Sequence, residues 1–289
     1  MRPTCARLRL ARGRPAYTHV MNTLAFIGGG NMAGAIIGGL VRSGRAAPSI
    51  LVVDPGADQR SRLQGEWGVR TLAAADATLA EAATVVWAVK PQLFGEAARP
   101  CGPHVGRALH ISVMAGIRSE TIARATGSQR IVRSMPNTPA LIGQGIAGLY
   151  ARDAVTPADR AEVEAVLAPT GRTLWVDAEA DLDAVTAVSG SGPAYVYYVI
   201  EALIDAAVEM GLSPEQGRAL ALATFSGATA LASASSDPPA LLRERVTSKG
   251  GTTFAALCVL EEAQVKASFV RALKAAQIRA AQLGDEFGS

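Results

Sequence analysis

Lysine is nearly missing from this sequence: Lys90, Lys249, Lys266 and Lys274 are its only four, among 28 basic residues in all. The net charge is +3, and Arg2, Arg7, Arg9, Arg12 and Arg14 crowd into the first stretch. The remainder is close to neutral and offers nothing to hold a nucleic-acid backbone. Histidine and cysteine are as sparse. His19, His104 and His110, like Cys5, Cys101 and Cys258, stand far apart without ligand spacing, so no metal site is expected. Few, scattered cysteines also exclude a disulfide framework and point to a reducing, cytoplasmic compartment. Long hydrophobic runs are absent too. One charge-free stretch, the 18 residues Ala219–Ser236, is built of Ala, Ser, Thr and Gly with few large side chains. Lipid would solvate it poorly, so it reads as a helix buried in a core or subunit interface, and no membrane span is expected.

What is present is an alternation of short β-branched runs with amphipathic segments. Residues 1–20 are set aside: Arg interrupts every apolar run there, Met21 directly precedes the first strand, and the extension is expected to be disordered and dispensable. Strands are predicted at Thr23–Ile27, Ile50–Val53, Thr84–Val89, Leu109–Val113 and Arg130–Arg133. Helices are predicted between them at Met32–Ser43, Gln59–Trp67, Asp76–Ala82 and Ser119–Ala125. Continuous apolar strands with helical crossovers indicate a doubly wound parallel sheet covered on both faces. A short strand (Ile146–Tyr150), a helix (Pro157–Leu167) and a last strand (Thr173–Val176) follow. Beyond Asp181 only helices are predicted, at Ala194–Met210, Pro214–Ser235, Pro239–Val246, Thr253–Glu262 and Val265–Leu283. The class is therefore α/β: a Rossmann-type domain over 21–180 and an all-helical domain over 181–289.

Three features carry chemistry. Ile27-Gly28-Gly29-Gly30-Asn31-Met32-Ala33 fits G-x-G-x-x-A directly between a strand and a helix, with Asp54 closing the second strand. Gly28 allows the tight turn, Gly30 lets backbone approach a pyrophosphate, and the helix start offers free N–H groups. Ala88-Val89-Lys90-Pro91 and Val113-Met114-Ala115 end later strands, where open α/β sheets bind ligands, and Asn137 lies in a loop fixed by Pro136 and Pro139. Finally, Ser248-Lys249-Gly250-Gly251-Thr252-Thr253 opens a helix in the second half, a second anion-binding terminus suited to a small carboxylate.

These pieces, with Met135–Pro139 and Asp183–Tyr195, resemble pyrroline-5-carboxylate reductases in order and over essentially the whole chain from Thr23. The resemblance implies NADPH- or NADH-dependent reduction of the C=N bond of 1-pyrroline-5-carboxylate to L-proline. It further implies an obligate dimer through the C-terminal helices, with dimers assembling into a ring. Carried over, Thr253 is the hydroxyl beside the pyrroline nitrogen. Gly251 and Thr252 present N–H groups to the carboxylate, Ser248 and Gly250 shape the loop, and Glu179 lies near the substrate. Ile27–Met32, Asp54, Ala88–Pro91, Val113–Ala115 and Asn137 are the residues expected to hold the coenzyme. Two departures stand out: Lys249 replaces the usual proline, and Ala75 stands where some members place an Asn near the coenzyme.

Two other functions share this plan. A hydroxyacid or ketopantoate-type dehydrogenase would carry a lysine on the first long helix of the second domain, and Ala194–Met210 has none. A silent NAD(P)-binding protein would not require both Lys90–Pro91 and Ser248–Thr253 to be intact. A cyclic imine needs no strong acid, because its protonated nitrogen is already an electron sink.

Overall fold

The computed structural model describes residues 22–288, and the expectation for residues 1–20 lies outside them. Eight strands form one sheet in the order β3-β2-β1-β4-β5-β6-β7-β8. They are β1 (Thr23–Ile27), β2 (Ile50–Val53), β3 (Arg70–Leu72), β4 (Ala82–Trp87), β5 (Leu109–Ser112), β6 (Ile131–Met135), β7 (Gly145–Ala151) and β8 (Gly171–Trp175). The first six run parallel, β7 lies antiparallel to β6, and β8 lies parallel to β7. The order 3-2-1-4-5-6 changes direction between β1 and β4, which opens a crevice at their carboxyl ends.

β1, β2 and β4 carry almost no polar residue, because successive side chains point to opposite faces and both faces are covered. Leu24 and Phe26 of β1 enter one core, with Ile36, Ile37 and Leu40 of helix α1 (Asn31–Arg42). Ala25 and Ile27 enter the other, with Trp87 and with Phe94 and Cys101 of helix α3 (Phe94–Val105). Both faces of these strands are buried and apolar, whereas β5 and β6 bring His110, Ser112, Arg133 and Ser134 into the interior. On α1 the buried positions 33, 36, 37 and 40 follow the helical repeat. Helix α2 (Ala57–Trp67) stops at Gly68, whose φ of 70° suits the left-handed cap. After α3 (Phe94–Val105) and α4 (Ser119–Thr126), α5 (Pro157–Leu167) starts on a reciprocal Thr156–Asp159 capping box with Pro157 in its first turn.

Within the sheet half, three elements differ in kind from the sequence expectations. β3 is only three residues long, too short for a periodic signal. α3 forms despite Pro100 and Pro103 in its interior, because Phe94, Ala98, Cys101 and Val105 are buried against the sheet. The stretch Asp76–Ala82 is a 3-10 turn (Ala77–Glu81) feeding β4, not an α-helix.

The rest of the chain is helical: α6 (Asp181–Val185) running into a π-turn over Thr186–Gly190, then α7 (Gly192–Glu209), α8 (Pro214–Ala234), α9 (Pro239–Arg245), α10 (Thr252–Glu262) and α11 (Val265–Gly288). Among the described residues no single helix is long and apolar enough to cross a membrane. The pair α8–α9, which is apolar and long enough only when taken together, is bent by 120°.

A buried histidine ties β4 to β5 and makes the fold sensitive to acid. Trp87 Nε1 donates to His110 Nδ1 at 3.0 Å, and His110 Nε2 lies 3.1 Å from the Val105 carbonyl oxygen. Burial lowers the imidazole from 6.5 to about 4, against the raising effect of the Val105 bond and with help from the Arg130 charge. An unfolded chain binds that proton near pH 6.5 and the native chain only near 4. The neutral imidazole therefore contributes fully above about pH 6.5, and about 3 kcal/mol is lost as pH falls toward 4. Urea midpoints should drop accordingly between pH 7 and pH 4.5. A flat profile would show that the native protein binds this proton as readily as the unfolded chain does.

Candidate active site

β1 ends at Ile27, and the chain must turn at once to start α1. Gly28 makes that turn with φ +93°, and a Cβ there would lie 2.8 Å from the Ala88 carbonyl oxygen. No side chain is tolerated by either measure. Gly28 N–H donates to Val53 O at 2.8 Å, joining the loop to β2. At Gly30 an added Cβ would meet nothing within 4 Å, so the space above it is open. Gly30 is also the N-cap of α1 and supplies no side-chain bond to the first turn, whose N–H groups stay free for an anion.

Asp54 holds the neighbouring wall. Its Oδ2 accepts from Gly29 N–H at 2.8 Å and its Oδ1 from Gly56 N–H at 2.8 Å. Arg60 Nη1 donates to the Asp54 and Pro55 carbonyl oxygens, both at 2.8 Å. Gln59 Nε2 donates to the Gly29 oxygen from α2. Asp54 and α2 thus brace the glycine turn from below.

A cleft of about 430 Å³ opens here, in the range that holds a bound cofactor or small ligand. Of the residues expected from sequence, Ile27, Gly28, Gly30, Asp54, Ala88, Val89 and Lys90 line it. Gly29, Asn31, Met32 and Pro91 adjoin it in sequence without lining it. Its other walls come from the two elements that sequence reading missed: Ala73, Ala74 and Ala75 follow β3, while Glu96, Ala97, Pro100 and Cys101 lie on α3. Burial pushes the Cys101 thiol up to about 11, so it lines the cleft as a neutral, nearly apolar group. The open space at Gly30, the uncapped helix start and this volume fit a dinucleotide.

Val113, Met114 and Ala115 follow directly on β5 and are not among the residues that line that cleft. Val113 N–H donates to Trp87 O at 3.0 Å, and Met114 N–H to Ser112 Oγ at 3.3 Å. Asn137 stands apart. Its Oδ1 accepts from Ile146 N–H at 3.0 Å, and it lines a second groove with Ser189, Pro193 and Tyr195 of the Asp183–Tyr195 segment.

Glu179 is held inside the chain. Its Oε1 accepts from Ser119 N–H at 2.7 Å and Arg133 Nη1 at 2.9 Å, while its Oε2 accepts from Ser119 Oγ at 2.7 Å. Burial raises this carboxyl, but the Ser119 bonds and Arg133 outweigh it and hold it below the ordinary glutamate value. Oε1 takes a first-turn N–H of α4 and Oε2 the Ser119 hydroxyl, a long-range pairing that no sequence pattern could reveal.

The Ser248–Thr253 segment joins α9 to α10. Gly250 has φ +73°, and a Cβ at Gly251 would meet Ser248 Oγ at 2.5 Å, so both glycines shape the loop. Gly251 is the N-cap of α10 without a side-chain bond to the first turn. None of the residues lining the first cleft comes from this segment. Among the described residues, no group of three or more His, Cys, Asp or Glu could hold a metal.

The chain's likeness to known proteins spans both halves. The NADP oxidoreductase coenzyme F420-dependent family pattern matches residues 23–116, and the pyrroline-5-carboxylate reductase dimerisation pattern matches residues 179–283. A pyrroline-5-carboxylate reductase from Pseudomonas aeruginosa is 42% identical over 267 residues, 92% of this chain and 98% of that protein. The chain belongs to the pyrroline-5-carboxylate reductase family. The reductase fold is matched as closely in space. A pyrroline-5-carboxylate reductase structure from Coxiella burnetii superposes with a TM-score of 0.85 at 34% identity, covering 91% of this chain and 98% of that one. The Plasmodium falciparum pyrroline carboxylate reductase, solved with NADP bound, superposes at 0.80 with 30% identity, covering 91% and 98%.

Proposed function

We infer that this chain is a pyrroline-5-carboxylate reductase, reducing the C=N bond of 1-pyrroline-5-carboxylate to give L-proline with NADPH or NADH, the last step of proline biosynthesis. The observation that carries this is the near full-length match to a reductase of that name, 42% identical. Two uncapped helix starts, one in each half, supply the matching anion sites.

In this reading residues 21–180 form the coenzyme domain and 181–289 the substrate and dimerisation domain. Gly28–Met32 hold the pyrophosphate, while Ala88–Pro91 and Val113–Ala115 line the ribose and nicotinamide. Asn137 holds its loop at the edge of the coenzyme side, and Glu179 acts by fixing α4 from within. The N–H groups of Gly251 and Thr252 take the substrate carboxylate, and Ser248 and Gly250 set the loop around it. The reduced coenzyme supplies a hydride when bound. Thr253 directs its hydroxyl at the ring nitrogen and fixes the orientation of the C=N bond. A protonated imine already carries its proton, so its π pair settles on nitrogen as carbon accepts the hydride, and no stronger acid is required. The enzyme works in the cytoplasm as a homodimer, with dimers assembling into a ring, and without nucleic-acid or membrane partners.

Coenzyme oxidation with 1-pyrroline-5-carboxylate, set against a panel of 2-keto acids, tests the activity. Faster turnover of a keto acid would make the chain a hydroxyacid-type dehydrogenase. The same assay addresses coenzyme choice. Asp54 lines the cleft where an adenosine ribose would lie, and its carboxylate repels a 2′-phosphate. NADH is therefore expected to serve at least as well as NADPH, and Asp54→Ser to shift kcat/KM toward NADPH. A wild-type preference for NADPH of about tenfold or more would assign the choice to Arg60 and Arg62 instead.

A further inference from the structure

A glycine inside a helix costs about 1 kcal/mol relative to alanine, yet α11 carries a buried Gly284 in its last turns. Arg118 explains it. A Cβ at Gly284 would lie 2.4 Å from Arg118 Nη2 and 2.6 Å from both Cζ and Nε, so the guanidinium lies flat on bare helix backbone. From there Arg118 Nη2 donates to Ala281 O at 3.4 Å, and Nη1 donates to Asp183 Oδ2 at 3.4 Å. Asp285 Oδ1 lies 3.9 Å away.

A second seat lies next to the first. Gly116 has φ +75°, and a Cβ there would meet Phe287 Cδ2 at 2.9 Å and the Leu283 carbonyl oxygen at 3.3 Å. Phe287 packs onto the core that contains Met114 and Ile117. The last turns of α11 therefore press on Gly116 and on Arg118, immediately after the Val113–Ala115 segment at the end of β5.

We propose that Gly284 and Phe287 are positioning residues for the coenzyme: seated on Arg118 and Gly116, they hold Val113–Ala115 in the shape the nicotinamide requires. The helical half of the chain thereby sets coenzyme affinity on the sheet half. This rests on the reading that Val113–Ala115 line the nicotinamide. Loosening the seat lowers the fraction of molecules competent to bind, and the apparent Kd rises by the inverse of that fraction.

The test uses the full chain with Phe287→Ala, Phe287→Leu and Gly284→Ala, the last of which displaces the guanidinium. NADPH and NADH fluorescence titrations give Kd, and steady-state kinetics, melting and sedimentation run beside them. Phe287→Ala and Gly284→Ala should each raise Kd about tenfold. kcat at saturating coenzyme should change by less than about twofold, with Tm and oligomeric state kept, and Phe287→Leu should restore most of the affinity. A Kd unchanged in Phe287→Ala, or a rise that leucine does not rescue and that follows the loss of Tm, overturns the proposal. Ala115→Val separates the two readings. If it weakens coenzyme binding while Phe287→Ala does not, the site stands and this inference falls. If it leaves Kd unchanged, the loop is not at the nicotinamide, and both fall.

Discussion

Leu231→Arg is expected to leave the protein monomeric and to lower its activity by about a hundredfold or more, the scale of several kcal/mol. α8 buries only Gly217 and Ala221 within its own chain, while Leu231 is 72% exposed and Leu220 57%. No charge occurs from Ala219 to Ser236 to keep such a surface in water. A large bare apolar surface of this kind calls for a partner, and the helices that carry it fall within the dimerisation match at residues 179–283. An arginine there would sit in the interface as an unpaired buried charge, and Ala223→Arg and Ala230→Arg should act in the same way. Sedimentation equilibrium and specific activity check this together. A wild-type protein that is monomeric and fully active would remove the premise.

Thr253→Ala is expected to lower kcat by roughly ten- to a hundredfold while leaving coenzyme Kd nearly unchanged, the scale of one positioned hydrogen bond that strengthens in the transition state. The alternative role for this hydroxyl is to cap its own helix. Gly251, not Thr253, occupies the cap of α10 and does so without a side-chain bond. Thr247, six residues earlier, donates its hydroxyl to the Arg243 carbonyl at 2.6 Å. Thr253 makes no corresponding hydrogen bond among the described residues, so its hydroxyl is available to a ligand. Thr253→Ser should keep most of the activity. Turnover unaltered in the alanine variant would return Thr253 to a purely structural part.

How far the site could be read from sequence depended on the range of the interactions. β1, β2 and α5 have the bounds expected from sequence, because the continuous apolar runs and the helical pattern from Pro157 are contiguous signals. The same holds for Gly28 and Gly30, whose conformational demands are local. The lower wall of the cleft was not legible. β3 has three residues and α3 carries two prolines, and only packing against the sheet decides that they form. Longer-range contacts were invisible as well. Asp54 could be placed at the end of β2, but not its grip on Gly29 and Gly56. Glu179 meets Ser119 across 60 residues and Arg133 across 46, and neither spacing is a motif. α6 and its π-turn were overlooked because Ser189-Gly190-Ser191-Gly192-Pro193 has the composition of a loop.

The two outermost strands repeat one another: β3 reads Arg70-Thr71-Leu72, and β8 contains Arg172-Thr173-Leu174. Open rims of a sheet are templates for lateral growth, since their unpaired amides and carbonyls accept any passing strand. Arg70 guards one rim, paired with Glu81 at 3.3 Å. At the other, Arg172 is exposed beside Leu174, and the Arg160 guanidinium sits 4.4 Å from the centre of the Trp175 ring. Another sheet approaching either rim would have to desolvate an arginine. Fibre-like stacking is thereby discouraged at both ends, and copies of the chain are steered to join through their helices, where contacts can close upon themselves.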